Sequence, residues 1–270
     1  MIFSVIIPSY NSCKSIIRAL ESVVNQKLKD FEIIIVDDGS IDDTKNVIDN
    51  YFKNKKNIRY KYIYQDNKGP SSARNNAVKN ASGKYLAFLD ADDAWHIDKL
   101  QIQYDMIQKL DIKFISSSYT IDDFKDITEI TIRKFKFKDF LISNKTSTPC
   151  TVIARSLFEE VGGFDEGLSY SEDYNLWLKV SLKEALIFIQ QPLVKLYKKP
   201  YGESGLSSHM WEMEKGELYN YNYFYINNQI KKPFYLLLVS ISLLKYLRRL
   251  IYIKTSICFM NIIRKKNDSY

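Results

Sequence analysis

Cysteine and histidine are scarce in this 270-residue chain, and their scarcity removes whole classes of chemistry. Cys13, Cys150 and Cys258 stand far apart, odd in number and without a Cys-x-x-Cys pair. That excludes a disulfide framework or a zinc cluster and fits a reducing cytosol. Two histidines, His96 and His209, cannot build a His-rich metal centre. A membrane-spanning run is missing as well: the uncharged stretch 233–244 is twelve residues long, where a helix needs about 20. The N-terminus has no basic lead, and its short apolar run over residues 2–8 reads as a first strand, not a signal peptide. Internal repeats and low-complexity linkers are absent too. Acid is the last scarcity. From residue 231 onward nine basic residues face one carboxylate, Asp268, so the tail carries +8 of a total of +7 and the body −1. Basicity is thus a property of the C-terminus, and nucleic-acid binding by the body loses its support.

Aromatics are plentiful, with 20 Tyr and 15 Phe, as a packed globular core requires. The chain is organised around residues 84–95, Lys-Tyr-Leu-Ala-Phe-Leu-Asp-Ala-Asp-Asp-Ala-Trp. A short apolar run after Ser82-Gly83 reads as a buried parallel strand. Asp90, Asp92 and Asp93 follow where that strand leaves the sheet, the edge at which open α/β sheets bind ligands. Three clustered carboxylates need a cation, and hard oxygen donors suit Mg²⁺ or Mn²⁺, which also takes phosphate oxygens. An Asp-x-Asp on its own is more often a solvated turn, here with Asp93 or Asp98 capping a helix that begins near Trp95.

Strands are expected over residues 4–11, 31–40 and 58–64 besides the one at 85. Helices are expected from about 16 to 24, 44 to 52 and 73 to 79. This alternation predicts an α/β domain with a mostly parallel, doubly wound sheet. After residue 111 the pattern changes. Residues 112–132 read as strands joined by an Asp122-Asp123 turn, 137–143 as a short helix and 148–155 as a strand. Residues 156–161 read as a helix stopped by Gly162-Gly163, Glu172-Asp173 as the start of another, and 185–196 as mixed strand and turn. Residues 201–208 are a Gly/Ser-rich loop, flanked by Lys198, Lys199 and His209. The expected division is 1–205, with halves 1–111 and 112–205, followed by a helical extension over 206–270. That basic, apolar extension fits a helix lying on an anionic leaflet. Docking on the core or on a second copy, as a homodimer, is the alternative.

Six elements in order carry a resemblance to known proteins: SVIIPSYN at 4–11, VDDGSIDDT at 36–44, GPSSARN at 69–75, FLDADDAW at 88–95, GGFD at 162–165 and EDYNLW at 172–177. Together they resemble inverting family-two glycosyltransferases of the GT-A fold, over roughly residues 1–200. The resemblance implies a nucleotide-sugar donor, uridine diphosphate-linked, with Pro8 and Tyr10 flanking the base, Asp38 accepting from it and Arg74 closing over it. It implies Asp90 on ribose or metal, Asp92 on the metal, and Asp93 on the donor sugar or at a helix start. Lys198, Lys199 and His209, flanking the Gly/Ser-rich loop, are candidates to close on the pyrophosphate once the donor binds, with His209 also a candidate further metal ligand. Asp173 is the implied base, with Glu172 beside it for the acceptor. The implied acceptor is a soluble or lipid-linked glycan of surface-polysaccharide assembly at the inner face of the cytoplasmic membrane, with Mn²⁺ or Mg²⁺ as cofactor. Rival readings are transfer to polyprenyl phosphate, a non-catalytic nucleotide-sugar-binding subunit, and a membrane-surface or RNA-binding module driven by the tail. A sugar-phosphate nucleotidyltransferase is excluded, because residues 9–14 lack the Gly-rich basic loop it needs.

Overall fold

A computed structural model describes residues 1–198 and 209–267, and the side chains of 1–198 and 209–251. Lys199 and the Gly/Ser-rich loop 201–208 lie outside the described residues. The chain divides into two compact units, Met1–Ser204 and Gly205–Tyr270.

The first unit is built on a sheet in the order β3-β2-β1-β4-β8-β6-β9-β5, with β7 pairing on β9. Strands β1 (Phe3–Ser9), β2 (Phe31–Asp38), β3 (Tyr60–Gln65) and β4 (Tyr85–Phe88) are mutually parallel. Helices α1 (Ile16–Val24), α2 (Thr44–Phe52) and α3 (Pro70–Lys79) connect them. Every residue of β2 and of β4 is buried, as expected of strands covered on both faces. Because β1 runs on to β2 on one side and meets β4 on the other, the strand order reverses between β1 and β4. A crevice opens at the carboxyl end of such a switch point.

Gly83 sets how closely β4 approaches β1. A Cβ there would fall 2.4 Å from the Ser4 nitrogen. Buried Glu32 ties the same corner together, accepting from Ser4 Oγ at 2.6 Å and from the Ser82 amide at 2.6 Å.

Beyond β4 the sheet is mixed. Helix α4 (Lys99–Leu110) precedes β6 (Phe114–Thr120), β7 (Ile132–Phe135) and α5 (Phe137–Ile142). A single 3-10 turn at Thr148–Cys150 leads into β8 (Val152–Ala154), α6 (Arg155–Glu160), α7 (Glu172–Lys183) and β9 (Leu186–Lys195). Strand β8 is antiparallel to β4 and β6, whereas β6 and β9 are parallel.

Several local expectations are corrected here. The helix expected near Trp95 begins at Lys99, because Ala94–Trp95 form β5, antiparallel to β9 at Ala94↔Lys195 and Trp95↔Val194. Asp93 is therefore not a helix cap, and Asp98, at the N-cap position, makes no side-chain capping bond. Within 112–132 there is one strand, β6; the next begins at Ile132. Residues 186–195 form one continuous strand despite Gln190, Gln191 and Pro192, since β9 is paired on both edges.

In the second unit α8 (Met210–Ile226) packs on α9 (Lys232–Asn267). Among the described residues no helix is long and apolar enough to cross a membrane.

Candidate active site

Four loops meet at the carboxyl end of β1, β2 and β4. Asn11, in the left-handed region at φ 47°, accepts from the Ile41 amide at 2.9 Å, and its own amide donates to Ser40 Oγ at 2.8 Å. The β1 and β2 exits are thereby stitched together. Pro8 is half-buried in this rim, and Tyr10 stands 51% exposed above it. Asp38 is buried and accepts from Gln65 Nε2 at 2.8 Å and from the amides of Lys68 and Gly69 at 2.9 and 2.8 Å. These three bonds fasten β2 to the start of α3. A carboxylate offers about four acceptor positions, so one remains for a ligand.

Arg74 is the hub. Its guanidinium reaches Asp90 Oδ1 at 2.8 Å on one side and Glu172 Oε1 at 3.4 Å on the other. It lies over the Phe164 ring at 5.3 Å. The neighbouring Asn75 clasps the Phe164 backbone, donating to its carbonyl at 2.8 Å and accepting from its amide at 3.1 Å. This explains the Gly-Gly before Phe164: Gly163 adopts φ 69°, and a Cβ there would press 2.9 Å from Asn75 Oδ1. Phe164 packs edge-on to Phe88 of β4, and Trp177 of α7 meets Phe88, Phe114 and Phe164. That aromatic cluster holds the start of α7 beside α3 and the β4 exit. Two motifs far apart in sequence, Asp90–Asp93 and Glu172–Asp173, thus converge on one guanidinium.

The electrostatics follow from crowding. Asp90 and Asp92 are each partly exposed, whereas Asp93 is buried beneath the turn and accepts from the Tyr197 amide at 3.4 Å. Burial, then the charges of Asp90 and Asp92, pushes the Asp93 carboxyl up to about 8. Asp173, half-buried in the first turn of α7, accepts from the Tyr174 amide at 2.6 Å and from Asn144 Nδ2 at 3.3 Å. Loss of hydration, then the adjacent Glu172, raises its carboxyl to about 7. Burial also raises Glu172, against the opposing pull of Arg74.

Residues 4–161 match the family described as Glycosyl transferase family 2. The chain belongs to that family. An uncharacterized glycosyltransferase of Rickettsia felis is 32% identical over 268 residues, 96% of this chain and 43% of the relative. Escherichia coli WfgD, named UDP-Glc:alpha-D-GlcNAc-diphosphoundecaprenol beta-1,3-glucosyltransferase, is 33% identical over 184 residues, 66% of this chain and 68% of WfgD. The chain spans 28% to 62% of the length of the Rickettsia relatives that it matches. Among solved structures, S. aureus TarS 1-349 in complex with UDP-GlcNAc has a TM-score of 0.71 at 21% identity, over 90% of this chain and 72% of that one. The Pyrobaculum calidifontis mannosyltransferase PcManGT, in complex with GDP-Man and Mn²⁺, has a TM-score of 0.63 at 15% identity, over 95% of this chain and 80% of that one. These likenesses are of fold, and the fold is GT-A.

The donor set of the family-2 domain fits a hard divalent ion. Asp90 and Asp92 offer carboxylate oxygens at a partly open edge. Among the described residues no three His, Cys, Asp or Glu side chains gather closely enough to enclose a metal. Protein oxygens would thus fill only part of a coordination shell, and donor phosphates or water the rest. His209 belongs to the second unit, at the N-cap position of α8.

Two neighbours of the carboxylates escaped the sequence reading. Arg18 donates from Nη2 to the main-chain oxygen of Asp92 at 2.6 Å, and Asn144 reaches Asp173. Arg18 left one trace, a cation in the first turn of α1, where the macrodipole disfavours it. Asn144 left none, since nothing local distinguishes it from a surface loop residue.

Proposed function

We propose that this chain is a metal-dependent, inverting glycosyltransferase. It moves a sugar from a UDP-linked donor to a glycan or lipid-linked glycan acceptor in surface-polysaccharide assembly. The observation that carries the reading is the Arg74 bridge, which links the β4-exit carboxylates to the acids that open α7. UDP is supported by the UDP-GlcNAc complex of TarS and by the name of WfgD, and a lipid-linked acceptor by that name too. Pro8, Tyr10 and the free acceptor position of Asp38 receive the base. Arg74 holds Asp90 toward the ribose, and Asp93 supports the turn under the donor sugar. Asp92, and Asp90 directly or through water, would hold Mn²⁺ or Mg²⁺, which would supply positive charge to the departing diphosphate. Ionised Asp173 takes the proton of the acceptor hydroxyl as that oxygen attacks the anomeric carbon from the face opposite the diphosphate, so configuration inverts. Glu172 lines the acceptor side.

Slow hydrolysis of a panel of nucleotide sugars, with and without Mn²⁺, tests this. One UDP-sugar should turn over only with metal, and Asp92→Ala should lower that rate about 10²–10³-fold, the worth of several kcal/mol of charge stabilisation. Metal-independent turnover, or none with any donor, would sink the reading.

The second unit supports a site at the inner face of the cytoplasmic membrane. Helix α9 is inside out for a water-facing hairpin. Ser242 is fully buried and donates to Glu214 at 2.7 Å, and Arg249 approaches Glu214 at 3.7 Å and Glu217 at 3.9 Å. Leu236, Leu237, Leu243, Leu244, Leu247 and Ile251 form one outward stripe, between 37% and 66% exposed. With nine basic residues after position 230 against one acid, the occupant that complements this surface is an anionic leaflet. The full chain should sediment with anionic vesicles and not with phosphatidylcholine alone. Leu244→Glu with Leu247→Glu should weaken that partition tenfold or more, since each buried leucine contributes about 1.5–3 kcal/mol. Concentration-dependent dimerisation without vesicle binding would instead assign the stripe to a second copy.

A further inference from the structure

Two cations contact the β4-exit carboxylates, and they differ in what it costs to move them. Arg74 is 7% exposed and bridges two acids, so breaking its bonds strands buried charge. Lys198 Nζ lies 2.7 Å from Asp92 Oδ2, yet its side chain is 63% exposed. An ion pair so open to water contributes little and is released at little cost. The backbone beneath Lys198 is held firmly. Strand β9 pairs with β5 up to Ala94↔Lys195, the Leu196 amide donates to Thr120 O at 2.9 Å, and the Tyr197 amide donates to Asp93. Arg18 locks the arrangement from the other side, its guanidinium 3.5 Å over the Tyr197 ring while it bonds the Asp92 carbonyl. A flexible four-carbon stem ending in a compact charge therefore springs from a fixed point beside Asp92.

Resting on the donor and metal roles proposed above, we propose that Lys198 is the resident counter-ion of Asp92. On donor loading Lys198 releases Asp92 to the divalent cation and moves its ammonium onto the donor diphosphate. The chain then never leaves three carboxylates uncompensated, and the same charge serves first the empty and then the loaded site. Lysine suits this exchange because it binds phosphate as a point charge, without the fixed fork that commits Arg74 to two partners.

Mn²⁺ binding followed by the loss of its free-ion electron paramagnetic resonance signal tests the exchange without any turnover. The full chain is titrated as wild type, Lys198→Met, Lys198→Arg and Asp92→Ala, with and without UDP. Without UDP, Lys198→Met should bind Mn²⁺ about threefold tighter than wild type, the scale of an exposed ion pair. At saturating Mn²⁺ the same variant should bind UDP about tenfold more weakly, the scale of one charge-assisted hydrogen bond. Lys198→Arg, which keeps the charge, should stay closer to wild type than Lys198→Met in both. Unchanged constants in Lys198→Met, or weaker Mn²⁺ binding without UDP, would overturn the exchange while Asp92→Ala still reports on the metal site. A wild-type chain that binds neither Mn²⁺ nor UDP would overturn the donor reading and the exchange together.

Discussion

Asp173→Asn is expected to bind the donor as wild type does and to transfer sugar about 10²–10⁴ times more slowly, the usual worth of a positioned general base. The substitution keeps the size of the side chain and its oxygen acceptor for the Tyr174 amide, now at 2.6 Å, so the first turn of α7 should survive. What disappears is an oxygen able to take a proton. Equilibrium binding of the donor separates this from a folding defect, because Tyr10 and Asp38, proposed to bind the donor, and Asp92, proposed to hold the metal, lie on other loops. Equal losses in donor binding and transfer would remove Asp173 from the role of base.

The same carboxyl sets a pH dependence of known sign. Crowding raises it from the ordinary carboxylate range to about 7, and only its ionised form accepts a proton. Transfer should therefore rise with pH through a midpoint near 7, and Asp173→Asn should lose that limb. Linkage predicts the opposite trend for stability. A folded-state value above the unfolded one, about 3.9 for aspartate, favours the folded chain most when the group is protonated in both states. That advantage declines above pH 4 and is gone once pH passes 7. Asp173→Asn should accordingly melt at a higher temperature than wild type at pH 8, with the gap narrowing toward pH 5. Residues that store strain or unfavourable charge in the resting fold, and release it during chemistry, show this pairing of lost activity with gained stability.

How much of this was legible in the sequence depended on whether the responsible interaction was local. Strands β1, β2 and β4 announce themselves as apolar runs because both faces are covered, and the acids of β4 and α7 stand at element ends where pattern reading is strongest. The pairing of Ala94–Trp95 with β9 was hidden, since a two-residue strand exists only through a partner about a hundred positions away. Strand β9 was blurred by Gln190, Gln191 and Pro192 and by the register shift opposite Ser117 and Ser118. Arg74 was visible as part of a motif, but its two-sided contact was not. An apolar, basic composition was plain in the tail. Which of its faces turns outward depended on Glu214 and Glu217 of α8 drawing Ser242 and Arg249 inward.

Removing the hub should be a costly single change in the first unit. In Arg74→Met the aliphatic bulk over Phe164 is kept, but Asp90 and Glu172 lose the guanidinium at 2.8 and 3.4 Å. Stranding partly buried charge in this way costs about 3–5 kcal/mol, a large share of a typical total of about 5–15 kcal/mol. Urea unfolding at pH 7 should report that loss. Arg74→Lys should fall between, because one ammonium cannot span both acids. Adding Asp90→Asn and Glu172→Gln to Arg74→Met should recover most of the stability, since the neutral trio no longer holds unpaired charge. Recovery would show that the bridge joins the β4 exit to the start of α7 and contributes little net stability, as buried ion pairs often do. The triple variant should then fold well and still fail at transfer, because nothing would hold the β4 exit against the acids of α7. If the triple variant remained as unstable as Arg74→Met, packing of the arginine and not its charge would be what holds the two halves together.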